Sequence, residues 1–119
     1  MAKPGTVFQL IPEGGNHFWV VISKEKNGMV LAVNTTDSQK CPDSPCFLQI
    51  GDHPAITKPT AIIYRKAREF ESRKIDEQIA SGRYVRQLVD CNATLLQKII
   101  SGAKVADNLT LKFLGYLAD

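Results

Sequence analysis

His17, Thr35 and Thr36 are the side chains of this chain whose types and spacing first point to chemistry. His17 stands directly before the apolar run Phe18-Trp19-Val20-Val21-Ile22, and Asn34, Thr35 and Thr36 follow the run Met29-Val30-Leu31-Ala32-Val33. Both runs are short and rich in β-branched and aromatic residues, so they read as strands. The link over residues 23–28 is polar and holds Asn27-Gly28, a pair suited to a turn with positive φ. The result is a hairpin, in which the start of one strand and the end of the next share an edge. A histidine and two hydroxyls would then meet at one rim. A histidine ring titrates near neutral pH and can take a proton from a hydroxyl, while threonine hydroxyls can bond a phosphate or a base edge. The plainer alternative is a polar residue at a strand entry, with threonines that simply favour β structure.

Other candidates stand further along. Lys58, Arg65, Lys66 and Arg68 could form a phosphate track, although Glu69 and Glu71 dilute it and charge runs are usually solvated faces. His53, in Gly-Asp-His-Pro, is either a base oriented by Asp52 or a residue that shapes a turn. Cys41-x4-Cys46 lies near the outer limit of zinc-finger spacing, and Cys91 with His53 would complete four ligands. Pro42 and Pro45 and the lack of a second tightly spaced pair count against zinc, so no metal is assigned. No nucleophile elbow, phosphate-binding loop or dinucleotide fingerprint is present.

These residues must be positioned by a single domain. The chain has 119 residues, 44% hydrophobic and 23% charged, an ordinary globular composition. Its net charge of +3 is mildly basic, compatible with nucleic acid but not diagnostic of it. No stretch reads as a signal peptide or a membrane span, and an odd cysteine count of 3 rules out a full disulfide framework. A reduced, cytoplasmic setting is the expectation.

Strands are expected over residues 6–11, 18–23, 30–36, 47–50, 60–64 and 83–88, with 65–68 as an exposed basic tail. Residues 12–16 read as a loop whose two glycines would either let it approach a ligand or move, or merely turn the chain. A short helix is expected from Asp76 as its N-cap to Gly82 just past its end. A second runs from Asn92 with Leu95, Leu96, Ile99, Ile100 and Ala103 on one face, its end weakened by Gly102. A third begins after Asp107, with Leu109, Phe113, Leu114 and Leu117 as its apolar face. Strands first and helices last describe an α+β domain, and the continuous apolarity of the central hairpin points to a small closed barrel over about 4–88, followed by helices over about 92–118.

The order of these pieces resembles the PemK/MazF (Kid-like) toxin family. The matching segments are Pro4-Gly5-Thr6-Val7-Phe8, a glycine loop, Val20-Val21-Ile22-Ser23, Val30-Leu31-Ala32-Val33-Asn34-Thr35-Thr36, and Ile56-Thr57-Lys58-Pro59-Thr60-Ala61-Ile62-Ile63. The resemblance covers roughly residues 4–70; the motifs are short, and their order and spacing carry it. It implies an SH3-like barrel, a homodimer, metal-independent cleavage of single-stranded RNA and restraint by an antitoxin protein. His17, Thr36 and His53 would then be catalytic, and Asn16, Thr35, Lys58 and Arg65 would contact RNA. The departure is at His17, where the family has an arginine. A histidine can serve as a base but cannot offer the bidentate phosphate clamp of arginine. The competing expectation is a non-catalytic barrel that binds a protein or nucleic-acid partner.

Overall fold

A computed structural model of the chain describes residues 2–11 and 17–118. The glycine loop and Asn16 lie outside the described residues. Among the described residues, six strands form one antiparallel sheet: β1 (Val7–Leu10), β2 (Trp19–Val21), β3 (Met29–Asp37), β4 (Phe47–Leu48), β5 (Thr60–Glu71) and β6 (Tyr84–Arg86). Among the same residues, three α-helices accompany it: α1 (Ser72–Ala80), α2 (Ala93–Val105) and α3 (Leu111–Leu114).

The central hairpin forms as its sequence dictates. Asn27 and Gly28 take φ of 54° and 79°, the left-handed pair of a two-residue turn, and Lys26 and Met29 exchange backbone hydrogen bonds of 2.7 and 3.0 Å across it. β2 then pairs with β3 in the register Trp19 to Asn34 and Val21 to Ala32. Asn34, Thr35 and Thr36 belong to β3, within the strand expected over 30–36, and are buried inside it.

The sheet runs in the order β4-β5-β3-β2-β1-β6 and is open: β4 and β6 are its edges and do not pair. The expected closed barrel is therefore replaced by an open sheet with both faces covered. One face packs Val7, Val20, Leu31, Val33, Ile62 and Tyr64 against Leu95, Ile99 and Ala103 of α2. The other packs Phe8, Trp19, Val21, Val30 and Phe70 with Ile75 of α1. Covering helices explain the continuous apolarity of the hairpin just as well as closure does.

β5 is the largest surprise. It continues through the basic stretch to Glu71, so the expected exposed tail is strand. Ala32 opposes Arg68 while Asn34 opposes Ile63, so two steps along β3 span five along β5. This bulge inserts an odd number of residues and reverses which side chains face which way. Tyr64 thus packs under α2, while Phe70 packs on the opposite face beside Phe8 and Trp19, at ring separations of 5.3 and 5.1 Å.

The helices also shift from expectation. α1 begins at Ser72, not at Asp76, because β5 hands over directly to it; it ends where expected, with Gly82 at φ 83°. α2 is capped by Asn92, whose Oδ1 accepts from Leu95 N–H at 2.8 Å. α3 is shorter and starts later than the sequence indicates, capped by the Thr110 hydroxyl. Among the described residues no helix is long and apolar enough to cross a membrane.

Candidate functional site

The hairpin register brings His17 to the rim beside the end of β3. Phe18 locks this junction: its N–H donates to Thr35 Oγ1 at 2.9 Å, and its carbonyl accepts from Thr35 N–H at 3.0 Å and from Asn34 Nδ2 at 3.3 Å. His17, one residue earlier and half-buried, sits with Nδ1 2.9 Å from the Thr35 carbonyl. A carbonyl can only accept, so Nδ1 carries the proton and donates it. In the neutral form of the ring the lone pair would lie on Nε2, and among the described residues no hydrogen bond occupies that atom. A ring oriented through one nitrogen with the other left basic is the arrangement a general base requires.

The two threonines do not meet as a pair. Thr35 is 1% exposed and its hydroxyl is engaged by Phe18, so it positions the His17 segment rather than offering a hydroxyl at the surface. Thr36 is 4% exposed and, by strand alternation, belongs to the opposite face of the sheet.

Lys58 does reach this end of β3, and it meets a carboxylate that sequence reasoning passed over. Its Nζ lies 2.8 Å from Asp37 Oδ1, with both side chains partly exposed. The Lys58 hydrogen bond holds the Asp37 carboxyl below its ordinary range, and the charges of Lys58, Lys40 and His17 act the same way against desolvation. Asp37 is the residue directly after Thr36, where the sequence shows only the start of a polar excursion. Strand pairing with Thr60, two residues after Lys58, is what brings the two together.

His53 plays a different part. It is 5% exposed, and both ring nitrogens are bound to backbone: Nδ1 accepts from Ala55 N–H at 3.0 Å, so Nε2 donates to the Val89 carbonyl at 2.5 Å. The ring ties the loop before β5 to the segment after β6 and has no nitrogen left to give a proton to a substrate. The turn-shaping alternative describes it, and Asp52 does not orient it; that carboxylate instead accepts from Gln49 N–H. Arg65 is exposed on the β5 bulge and lines a separate cleft with Cys41, Asp43 and Asp107, its Nη1 3.9 Å from Cys41 Sγ.

The cysteines are likewise dispersed. Among the described residues no group of three or more His, Cys, Asp or Glu side chains could hold a metal ion. Cys46 packs beside Tyr64 under α2, where burial pushes its thiol up; burial also raises Cys91, to about 11, with Asp90 adding to the effect. Comparison of the chain with family models, curated proteins and solved structures finds no match.

Proposed function

We propose that this protein is an endoribonuclease that cuts single-stranded RNA without a metal, acting as the toxin of a toxin–antitoxin pair. The toxin assignment, the homodimer and the antitoxin partner rest on the sequence resemblance to PemK/MazF proteins. One structural observation supports the chemistry: the hydrogen bond from His17 Nδ1–H to the Thr35 carbonyl, which orients the ring and puts the lone pair of its neutral form on Nε2. In the proposed reaction Nε2 takes the proton of a ribose 2′-hydroxyl. That oxygen attacks the adjacent phosphorus, and the bond from phosphorus to the 5′-oxygen breaks. The leaving oxygen takes its proton from solvent, since both nitrogens of His53 are committed to backbone. Lys58 stabilises the charge gathering on the phosphate. The products are a 2′,3′-cyclic phosphate and a free 5′-hydroxyl.

A second reading, a non-catalytic binding module, is favoured by the Asp37–Lys58 pair at 2.8 Å. A carboxylate beside Lys58 offsets its attraction for a phosphate and repels RNA. The two readings separate in one assay. Purified protein is incubated with a long single-stranded RNA, with and without a chelator. Cleavage to cyclic-phosphate ends in both arms supports the ribonuclease. RNA that stays whole in both overturns it and leaves the binding module; cleavage only in the chelator-free arm overturns the metal-independent mechanism.

A further inference from the structure

The chain holds a cleft of about 390 Å³ that the ribonuclease reading does not use. One wall is the hairpin arm leading to the Asn27-Gly28 turn. There the ladder is interrupted, because Leu31 N–H donates to the Ser23 hydroxyl at 2.9 Å, and Lys24 and Lys26 beyond it face the cleft. The second wall is one row of α2, with Gln97, Ile100 and Lys104 at the three- and four-residue spacing that shares a helix face. The third wall is the end of the chain around Tyr116 and Leu117.

That third wall is pinned. Tyr116 Oη donates to Glu69 Oε2 at 2.5 Å, and Lys112 Nζ lies 3.1 Å from Glu69 Oε1, so one carboxylate of β5 fixes the C-terminal segment from two sides. The cleft is therefore bounded by a hairpin, a helix and an anchored segment. Ile22, Ile100 and Leu117 give it an apolar lining. Among the described residues its charge is one-sided: Lys24, Lys26 and Lys104 stand against Glu25, and none of these lysines forms an ion pair.

We infer that this cleft binds a small amphipathic anion, an alkyl or aryl group carrying a phosphate or carboxylate head. The volume lies at the low end of the range of about 300–1,000 Å³ typical of small-molecule sites, too small for a folded partner. The apolar lining takes the body of the ligand. The lysines take its head group, which Lys104 meets from the C-terminal turn of α2 and Lys24 and Lys26 from the opposite wall.

The test is a titration of the full chain with three probes: hexyl phosphate, inorganic phosphate and 1-hexanol. Binding is read by calorimetry and by backbone amide NMR shifts. Hexyl phosphate should bind one site and move the signals of Ser23, Lys24, Lys26, Ile100 and Leu117. Either half of the ligand alone should bind at least about tenfold more weakly. Lys24→Gln combined with Lys104→Gln should weaken hexyl phosphate about tenfold with an unchanged melting temperature, since both side chains are exposed. His17→Ala should bind it as the parent does. The inference fails if hexyl phosphate shows no saturable binding, or moves signals elsewhere. It fails equally if hexanol or inorganic phosphate binds as well as the combined probe, or if the lysine variant binds undiminished.

Discussion

At the scale of single residues, hydrogen-bond partners assign different tasks to the two histidines. His17 donates through Nδ1 to a carbonyl and keeps Nε2; His53 accepts through Nδ1, donates through Nε2 and keeps nothing. His53→Ala should therefore act on stability. It removes two part-buried hydrogen bonds, together worth about 1–3 kcal/mol, read as a lower urea midpoint. A midpoint equal to that of the parent would show that the ring does not hold the loop. Glu69 supplies a second test at this scale. Hydrogen bonds from Tyr116 and Lys112 depress its carboxyl below its ordinary value of 4.5, while burial and Glu69 raise the Tyr116 phenol to about 12. A depressed carboxyl contributes stability above its unfolded value, and that contribution disappears as pH falls through the folded value. The phenol works in the opposite sense: its contribution is complete below its ordinary value of 10 and is lost as pH rises through about 12. The C-terminal segment should thus stay docked at neutral pH and loosen as pH falls through the depressed Glu69 value, below the ordinary 4.5. Glu69→Gln should be less stable than the parent at pH 7 and approach it at acid pH, once Glu69 is protonated, in urea titrations. A gap that is the same at both pH values would count against the latch.

At the scale of elements, α2 meets β5 more closely than its sequence indicates. An ideal Cβ on Gly102 would lie 2.3 Å from Tyr64 Oη and 3.0 Å from Cys46 Cβ. Tyr64 cannot easily retreat, because its hydroxyl donates to the Ile99 carbonyl at 2.7 Å within the core. An alanine elsewhere in a helix would gain about 1 kcal/mol over glycine, but overpacking of this kind costs about 1–3 kcal/mol. Gly102→Ala should therefore lower the urea midpoint, and a more stable variant would refute the packing argument. Sequence reading treats Gly102 as a weak helix end, since only the tertiary contact reveals what the missing side chain makes room for. The hairpin was legible because its turn and its apolar runs are local signals. The length of β5 was not: Arg65, Lys66 and Arg68 look solvated, and the strand survives because its backbone pairs with β3 and the Arg68 guanidinium stacks 4.3 Å from the Phe70 ring. The bulge leaves no local signature, so the fact that Tyr64 and Phe70 serve opposite faces was hidden. At the site, the proximity of His17 to Thr35 followed from the hairpin, whereas Asp37 beside Lys58 depended on a pairing between distant segments.

At the scale of the whole molecule, two claims concern what the chain does as a unit. The family resemblance implies a two-fold homodimer, which would set two copies of the His17 rim along one extended strand. Sedimentation at micromolar concentration should give twice the 13.2 kDa chain mass, and a monomer mass throughout would contradict the assembly. The central claim is that His17 is the base of an RNA-cutting reaction. Its most direct measurement is the cleavage rate of one single-stranded RNA by the parent and by His17→Ala, with both proteins shown to melt alike. Loss of a general base slows such reactions by about 10²- to 10⁴-fold, so the parent should release fragments ending in 2′,3′-cyclic phosphate while the variant falls behind by at least the lower figure. Equal rates for the two proteins, or an RNA that the parent leaves whole, would contradict the assignment.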